Sequence, residues 1–317
     1  MYSHASALKT LFNLCDNLKA LINQSEDQQR QSTLKGQQLY NLGEFAQAKN
    51  YLTIGACAGN ADAQYALAEV IRGKHTPLHE DAKDWYALAA AQGHVYALMR
   101  LGDAASIKTA TAVAQASVDR KEASGMLLMY ELTLDLAWLK KAADAGSLEG
   151  QYILADKYDR DRTLLPDDNE RRIAIDGLLK KAAEGGLSKA MFWYANRQPI
   201  SRDLPVRRQW VEKRAHLNDV NGVLDYGFIL SGMYENDEGV DEEYGFERDV
   251  VKGYGLVWLV VESTRELSRH ATARAFLSEL ATEMTETQIS AAKDFAQQWT
   301  QAHVPMSQYR LSYNDIN

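Results

Sequence analysis

The residues of this chain best suited to chemistry are its seven histidines, its two cysteines and a dense run of carboxylates near residue 240. His75 and His79 form the closest histidine pair, but they flank Pro77 with no cysteine or second ligand pair nearby. A tetrahedral zinc set is therefore not written there, and no His-Glu-x-x-His occurs elsewhere. The carboxylate run holds Glu235, Asp237, Glu238, Asp241, Glu242, Glu243, Glu247 and Asp249, a composition that suits calcium. An EF-hand loop needs carboxylates at its first and twelfth positions around a glycine at the sixth. Placing Gly239 sixth puts Tyr234 first and Gly245 twelfth, so a solvated loop is expected instead. The chain has no P-loop, no dinucleotide fingerprint and no Gly-x-Ser-x-Gly, and no pair of carboxylates stands out as an acid and a base. No metal, cofactor or catalytic residue is expected, and the chain reads as a non-enzyme.

A net charge of -8 and a pI near 5.5 disfavour a nucleic-acid partner, because phosphate would be repelled over most of the surface. One basic segment exists, Arg202, Arg207, Arg208, Lys213 and Arg214, interrupted by Asp203 and Glu212; pairing with the acidic loop is its expected use. The longest apolar run, Leu256 to Val261, is far shorter than the ~18 residues a membrane span requires. Lys9, Asn13, Asp16, Asn17 and Lys19 break up the start of the chain, which lacks the apolar core of a secretory signal. The expected compartment is the cytoplasm, with the periplasm as the alternative if a leader has been removed. Cys15 and Cys57 match no disulfide framework and are expected to be buried small apolar residues.

The elements that would carry any site are helices in a repeating pattern. With Gly59, Gly93, Gly146, Gly186 and Asn218 as position zero, the same residue classes recur around each. Eight before zero lie Tyr51, Trp85, Trp138, Leu178 and Trp210, an anchor column of large side chains. Three before zero lie Ala56, Ala90, Ala143, Ala183 and Ala215, and four after it Ala63, Ala97, Gly150, Ala190 and Gly222, where small residues let two backbones approach. Gly and Asn at zero are the residues that most cheaply take the left-handed conformation ending a helix. Each unit is thus a helical hairpin with an apolar face that only stacking can bury. A degenerate unit is expected near 105–133, centred on Asp119 with Ala116 and Ala123 in the small columns. Few prolines and abundant Ala, Leu, Gln and Glu leave strands unlikely to form.

The aromatic-anchored first helix, Ala-Ala, the glycine turn and the following Ala-x-x-x-Leu-Gly or Leu-Ala resemble the Sel-1-like repeat, a relative of the tetratricopeptide repeat. The best matches are Asp84 to Gly102, Ala137 to Ala155 and Lys252 to Leu259, and the stretch MTETQISAAKDFAQQW resembles a closing helix. The resemblance implies an all-α, right-handed superhelix in one domain over 1–317. Residues 1–42 would form N-terminal helices, 43–284 the repeats, 285–301 a capping helix and 302–317 a tail. It also implies a scaffold or adaptor that holds a protein or peptide, or a toxin-immunity or envelope-assembly protein of the same fold, or an accessory domain for a small anionic or cell-wall ligand. Five and six positions before zero should face outward, reading Lys140-Lys141, Lys180-Lys181 and Glu212-Lys213. Aligned by stacking, they would make a mostly basic ridge able to receive an acidic partner.

Overall fold

A computed structural model describes residues 15–16, 26–73, 80–236, 239, 241–265 and 268–307. Among these residues the regular elements are helices, and the only β feature is an isolated bridge between Asp219 and Ser307. The all-α, helical-repeat class expected from the columns is the observed one. The chain divides into two compact units, residues 1–138 and 139–316. The first contains α1 (Glu26–Leu42), α2 (Phe45–Cys57), α3 (Ala61–Arg72), α4 (Glu80–Ala91), α5 (Val95–Leu101), α6 (Ala104–Asp119) and α7 (Ala123–Thr133). The division falls within α8 (Leu136–Asp144). The second continues with α9 (Leu148–Arg160), α10 (Asp168–Glu184), α11 (Ser188–Ala195), α12 (Leu204–His216), α13 (Val220–Leu230), α14 (Val250–Ser263), α15 (His270–Leu280) and α16 (Glu286–Ala302).

Every zero residue is left-handed, with φ of 91° at Gly59, 81° at Gly93, 91° at Gly146, 103° at Gly186 and 56° at Asn218. Each donates its N–H to the alanine carbonyl three residues back, and the next N–H of the four glycine turns reaches the fifth residue back, which ends the first helix. The following residue then starts the second helix. The side chains of Asn60, His94, Ser147 and Asp219 accept the N–H of Ala63, Ala97, Gly150 and Gly222, respectively. The small column four after zero is small because the first helix lies against it. A Cβ on Gly222 would come 2.9 Å from the Arg214 carbonyl oxygen.

The same turn occurs at Gly43 and, unexpectedly, at Lys121, whose φ is 60°. The degenerate unit is therefore centred on Lys121 and not on Asp119. This puts Gly125 in the close-approach position, where a Cβ would meet the Ser117 backbone, in place of Ala123.

The anchor column also shifts. Of its members only Trp85 is buried; Trp138, Leu178 and Trp210 are partly exposed and Tyr51 is exposed. The large residues that carry the core sit one position later, at Leu52, Tyr86, Leu139 and Leu179, each fully buried.

Cys15 and Cys57 are joined by a disulfide, with Cα atoms 5.1 Å apart, which corrects the expectation of two separate apolar cysteines. Framework counting recognises several cysteines in a small domain; one pair spanning 42 residues is invisible to it. Of the expected N-terminal helices over 1–42, residues 1–14 and 17–25 lie outside the described residues.

At the other end, α16 starts with a capping box of Thr285 and Gln288 and buries Ala292, Ala296 and Trp299. It packs on α14, where a Cβ on Gly255 would collide with the Ala292 carbonyl oxygen. Trp299 donates its indole N–H to the side-chain oxygen of Asn218 at 3.0 Å, and Asn218 donates its amide to the Val304 carbonyl at 2.7 Å. A glycine at this zero position would supply the left-handed φ but neither bond. That explains why asparagine stands there.

Candidate functional site

In the first unit the most charged interior point is Glu69 on α3. Its carboxylate accepts from Tyr86 Oη at 2.6 Å, Arg100 Nε at 2.7 Å and an Arg72 guanidinium nitrogen at 2.9 Å. Burial opposes its ionisation, but the hydrogen bonds from Arg100 and Tyr86 prevail and hold its pKa below the ordinary value. Burial raises the pKa of the Tyr86 phenol, so it remains a donor. This cluster ties three helices and is closed to substrate, since the Glu69 side chain is 1% exposed. It is a structural clip.

The second unit holds an open site. Asp203 caps α12, with Pro205 in the first turn, and Asp219 caps α13, so these helices present defined faces. The segment after α13 is folded by Asp241, whose carboxylate accepts the N–H groups of Glu243, Tyr244 and Phe246. Arg207 fastens that segment to α12. One guanidinium nitrogen donates to Asn196 at 2.7 Å and to the Glu243 carboxylate at 3.2 Å, and the group lies 4.1 Å from the centre of the Tyr244 ring. Arg208 donates to the Gly245 carbonyl. The basic segment thus pairs with the acidic loop, as its sequence suggests, and its arginines fix that loop as a wall.

Between these parts lies a cavity of about 150 Å³ lined by Phe192, Trp210, Tyr234 and Tyr244 and by Arg207, Arg214, Arg269 and Asp225. Asp225 bridges two of the cations, accepting from Arg214 at 2.7 Å and from Arg269 at 2.6 Å. Arg214 also lies over Phe192, 4.8 Å from its centre, and Phe192 is 50% exposed. Burial, then the charge of Glu243, raises the Tyr244 phenol, and burial, then Asp225, raises that of Tyr234; both stay protonated and able to donate. The Nε of Arg207 is buried without a hydrogen-bond partner.

The ridge residues Lys140, Lys141, Lys180, Lys181 and Lys213 are exposed, and Glu212 is half-buried. Lys180 lies 3.8 Å from Glu184, and Lys213 stacks 5.0 Å from the centre of the Trp210 ring. None of these six residues lines the cavity, and Lys213 adjoins it through Trp210. Arg207 and Arg214 were visible in sequence, one face of α12 apart by two turns, but Asp225, Tyr234, Tyr244 and Arg269 come from separate segments and carry no shared pattern. His75 and His79 lie outside the described residues, and among those described no group of three His, Cys, Asp or Glu could hold a metal ion. Nor is any described helix long and apolar enough to cross a membrane.

No protein-family model and no curated protein matches the sequence. Among solved structures, the chain is similar to a protective antigen of uropathogenic Escherichia coli strains displaying an SLR fold, at 18% identity and a TM-score of 0.48, covering 86% of this chain and 61% of that one. The chain thus spans about three fifths of that protein's length. It is also similar to a Sel1 repeat protein from Oxalobacter formigenes, at 20% identity and a TM-score of 0.38, covering 75% of this chain and 98% of that one. A third similarity is to an immunity protein from Pseudomonas aeruginosa, at 18% identity and a TM-score of 0.36, covering 70% and 82% of the two chains. These scores are modest, and the repeat reading rests on the hairpin columns of the chain itself.

Proposed function

We propose that the chain is a non-enzymatic interaction scaffold that holds a protein or peptide, with the cavity of the second unit as its main contact. The observation that supports this reading is the lining. Trp, Tyr and Arg are the side chains that dominate binding energy at protein interfaces, where a few anchors in pockets outweigh the rest of the surface. Here two tyrosines, one tryptophan and three arginines converge on one opening. The basic ridge is a second, steering element, since complementary charge raises association rates.

Selection of displayed peptides on the full chain tests the scaffold reading. Peptides enriched on the wild type should be lost on Phe192→Ala, whose exposed ring lines the cavity. A selection that enriches nothing removes the scaffold reading, and binders indifferent to Phe192 move the contact elsewhere. Reversal of Lys141 and Lys181 to Glu should slow association with a selected acidic peptide, less so at high salt; unchanged kinetics remove the ridge.

The disulfide favours a second placement. Paired cysteines persist in oxidising compartments, which supports the envelope-assembly or toxin-immunity version of the scaffold over a cytoplasmic adaptor. Alkylation of the chain as isolated from its host, read by mass spectrometry, separates the two. Free thiols at Cys15 and Cys57 place it in the cytoplasm.

A further inference from the structure

We infer that the cavity of the second unit seats a single carboxylate-bearing residue of an acidic peptide, with the carboxylate on the arginine side and the body of the residue on the aromatic side. This deepens the scaffold reading and rests on it.

Size comes first. A cavity of about 150 Å³ lies below the ~300 Å³ at which small-molecule sites begin. That scale suits one amino-acid side chain.

Charge comes next. Three guanidinium groups line the opening against one carboxylate, Asp225. Two further carboxylates lie behind the lining, Glu243 on Arg207 and Asp219 on Arg214 at 3.3 Å, so those two cations are already engaged. Arg269 differs. Its only hydrogen bond among the described residues is the one to Asp225, and its side chain is 38% exposed. A guanidinium has five N–H donors in a fork that fits a carboxylate edge-on, so Arg269 has donors to offer an incoming acid. The protonated phenol of Tyr234 can add a hydrogen bond, and Phe192 and Trp210 supply apolar walls.

The surroundings set the partner's character. On a chain of net charge -8, the three arginines of the opening are matched by Asp225, Glu243 and Asp219, and Lys213 beside Trp210 adds one positive charge to the rim. The carboxylate can come from an Asp or Glu side chain or from a chain terminus, and the same chemistry recognises both.

The test uses the full chain and dye-labelled decapeptides carrying Phe beside Asp or Glu, their Asn and Gln counterparts, and free or amidated C-termini, with binding read by fluorescence anisotropy. Acidic peptides should bind at least about ten-fold more tightly than their amide counterparts, and Arg269→Gln should remove most of that preference. Equal loss on amidating the C-terminus identifies the terminus as the source; no loss identifies the side chain. Because Arg269→Gln could disturb Asp225, Phe192→Ala provides an independent arm and should weaken acidic peptides without changing the wild-type melt. If acidic and neutral peptides bind alike, or Arg269→Gln keeps the preference intact, the carboxylate assignment is overturned while the scaffold reading stands. If no decapeptide binds, the carboxylate assignment falls as well, and the display selection decides the scaffold separately.

Discussion

Leu178 and Leu179 allow the core register to be tested by one substitution made twice. They are adjacent on α10 and of the same type, so Leu→Ala removes the same atoms and changes helix propensity equally. Leu179 is fully buried in a cluster with Ile175, Ala182, Ala183, Leu187, Ala190 and Met191, whereas Leu178 is partly exposed at its edge. Leu→Ala in a core costs about 2–5 kcal/mol, more where the surroundings cannot collapse into the space. Around Leu179 four of the cluster residues are alanines with no side chain to swing inward, counting Ala155, so the upper half of that range applies, about 3.5–5 kcal/mol. Leu178→Ala removes atoms already partly in water and should cost about 1 kcal/mol. Urea unfolding of the full chain, followed by circular dichroism, reads the difference; hydrogen exchange on α10 and α11 checks it locally, because stacked repeats need not unfold in one step. Equal midpoints, or a larger loss at Leu178, would refute the register. By the same reasoning Trp138→Ala, at a partly exposed position, should cost less than Leu139→Ala.

Glu69→Gln leaves Arg72 and Arg100 without their shared carboxylate and should destabilise the first unit by about 3–5 kcal/mol; a loss under about 1 kcal/mol in a thermal melt would show that the clip contributes little. Because the Glu69 pKa is depressed, its contribution is complete above the unfolded value of 4.5 and is lost as pH falls through the folded one. Burial lowers the His94 pKa below 6.5, so its neutral form belongs to the fold; stability is complete above that pH and declines as pH drops toward the folded value. His94→Asn keeps an acceptor for the Ala97 N–H and should flatten this part of the profile, measured by urea midpoints at about pH 7.5 and 5.5; an unchanged slope would clear His94. Asn218→Gly eases the left-handed backbone yet strands the Trp299 indole N–H, and should cost about 1–3 kcal/mol; a stabilised variant would mean that φ alone selects the residue.

What was legible in the sequence is what backbone geometry restricts to few residue types. A left-handed turn asks for Gly or Asn, and two helices in close approach ask for Gly or Ala, so both columns stand out in the sequence. The core column was harder, because positions eight and seven before zero both carry large residues and differ by only 100° around the helix. Nothing in the letters Leu178-Leu179 says which one points inward. Lys121 hid its turn by taking a positive φ without being glycine. Asn60, Ser147 and Asp219, directly after zero, are residue types that start helices, so the second helix of each hairpin is also marked in the sequence.

The cavity was illegible for a different reason: its charge is local, whereas composition reports a sum. The acidic loop and the basic stretch of α12 look like two solvated runs that neutralise each other. Folding makes the neutralisation partial and directional. Asp241 spends its carboxylate on the loop's own backbone, Glu243 engages Arg207 from outside the cavity, and Asp225 is shared between Arg214 and Arg269. The negative charge is thereby used to position cations, leaving an arginine edge at the opening of an acidic protein. It follows that the loop and the site are one device. A change at Asp241 should disorder Tyr244 and open that wall of the cavity, even though Asp241 does not line it, because three backbone N–H groups of the loop depend on that single carboxylate.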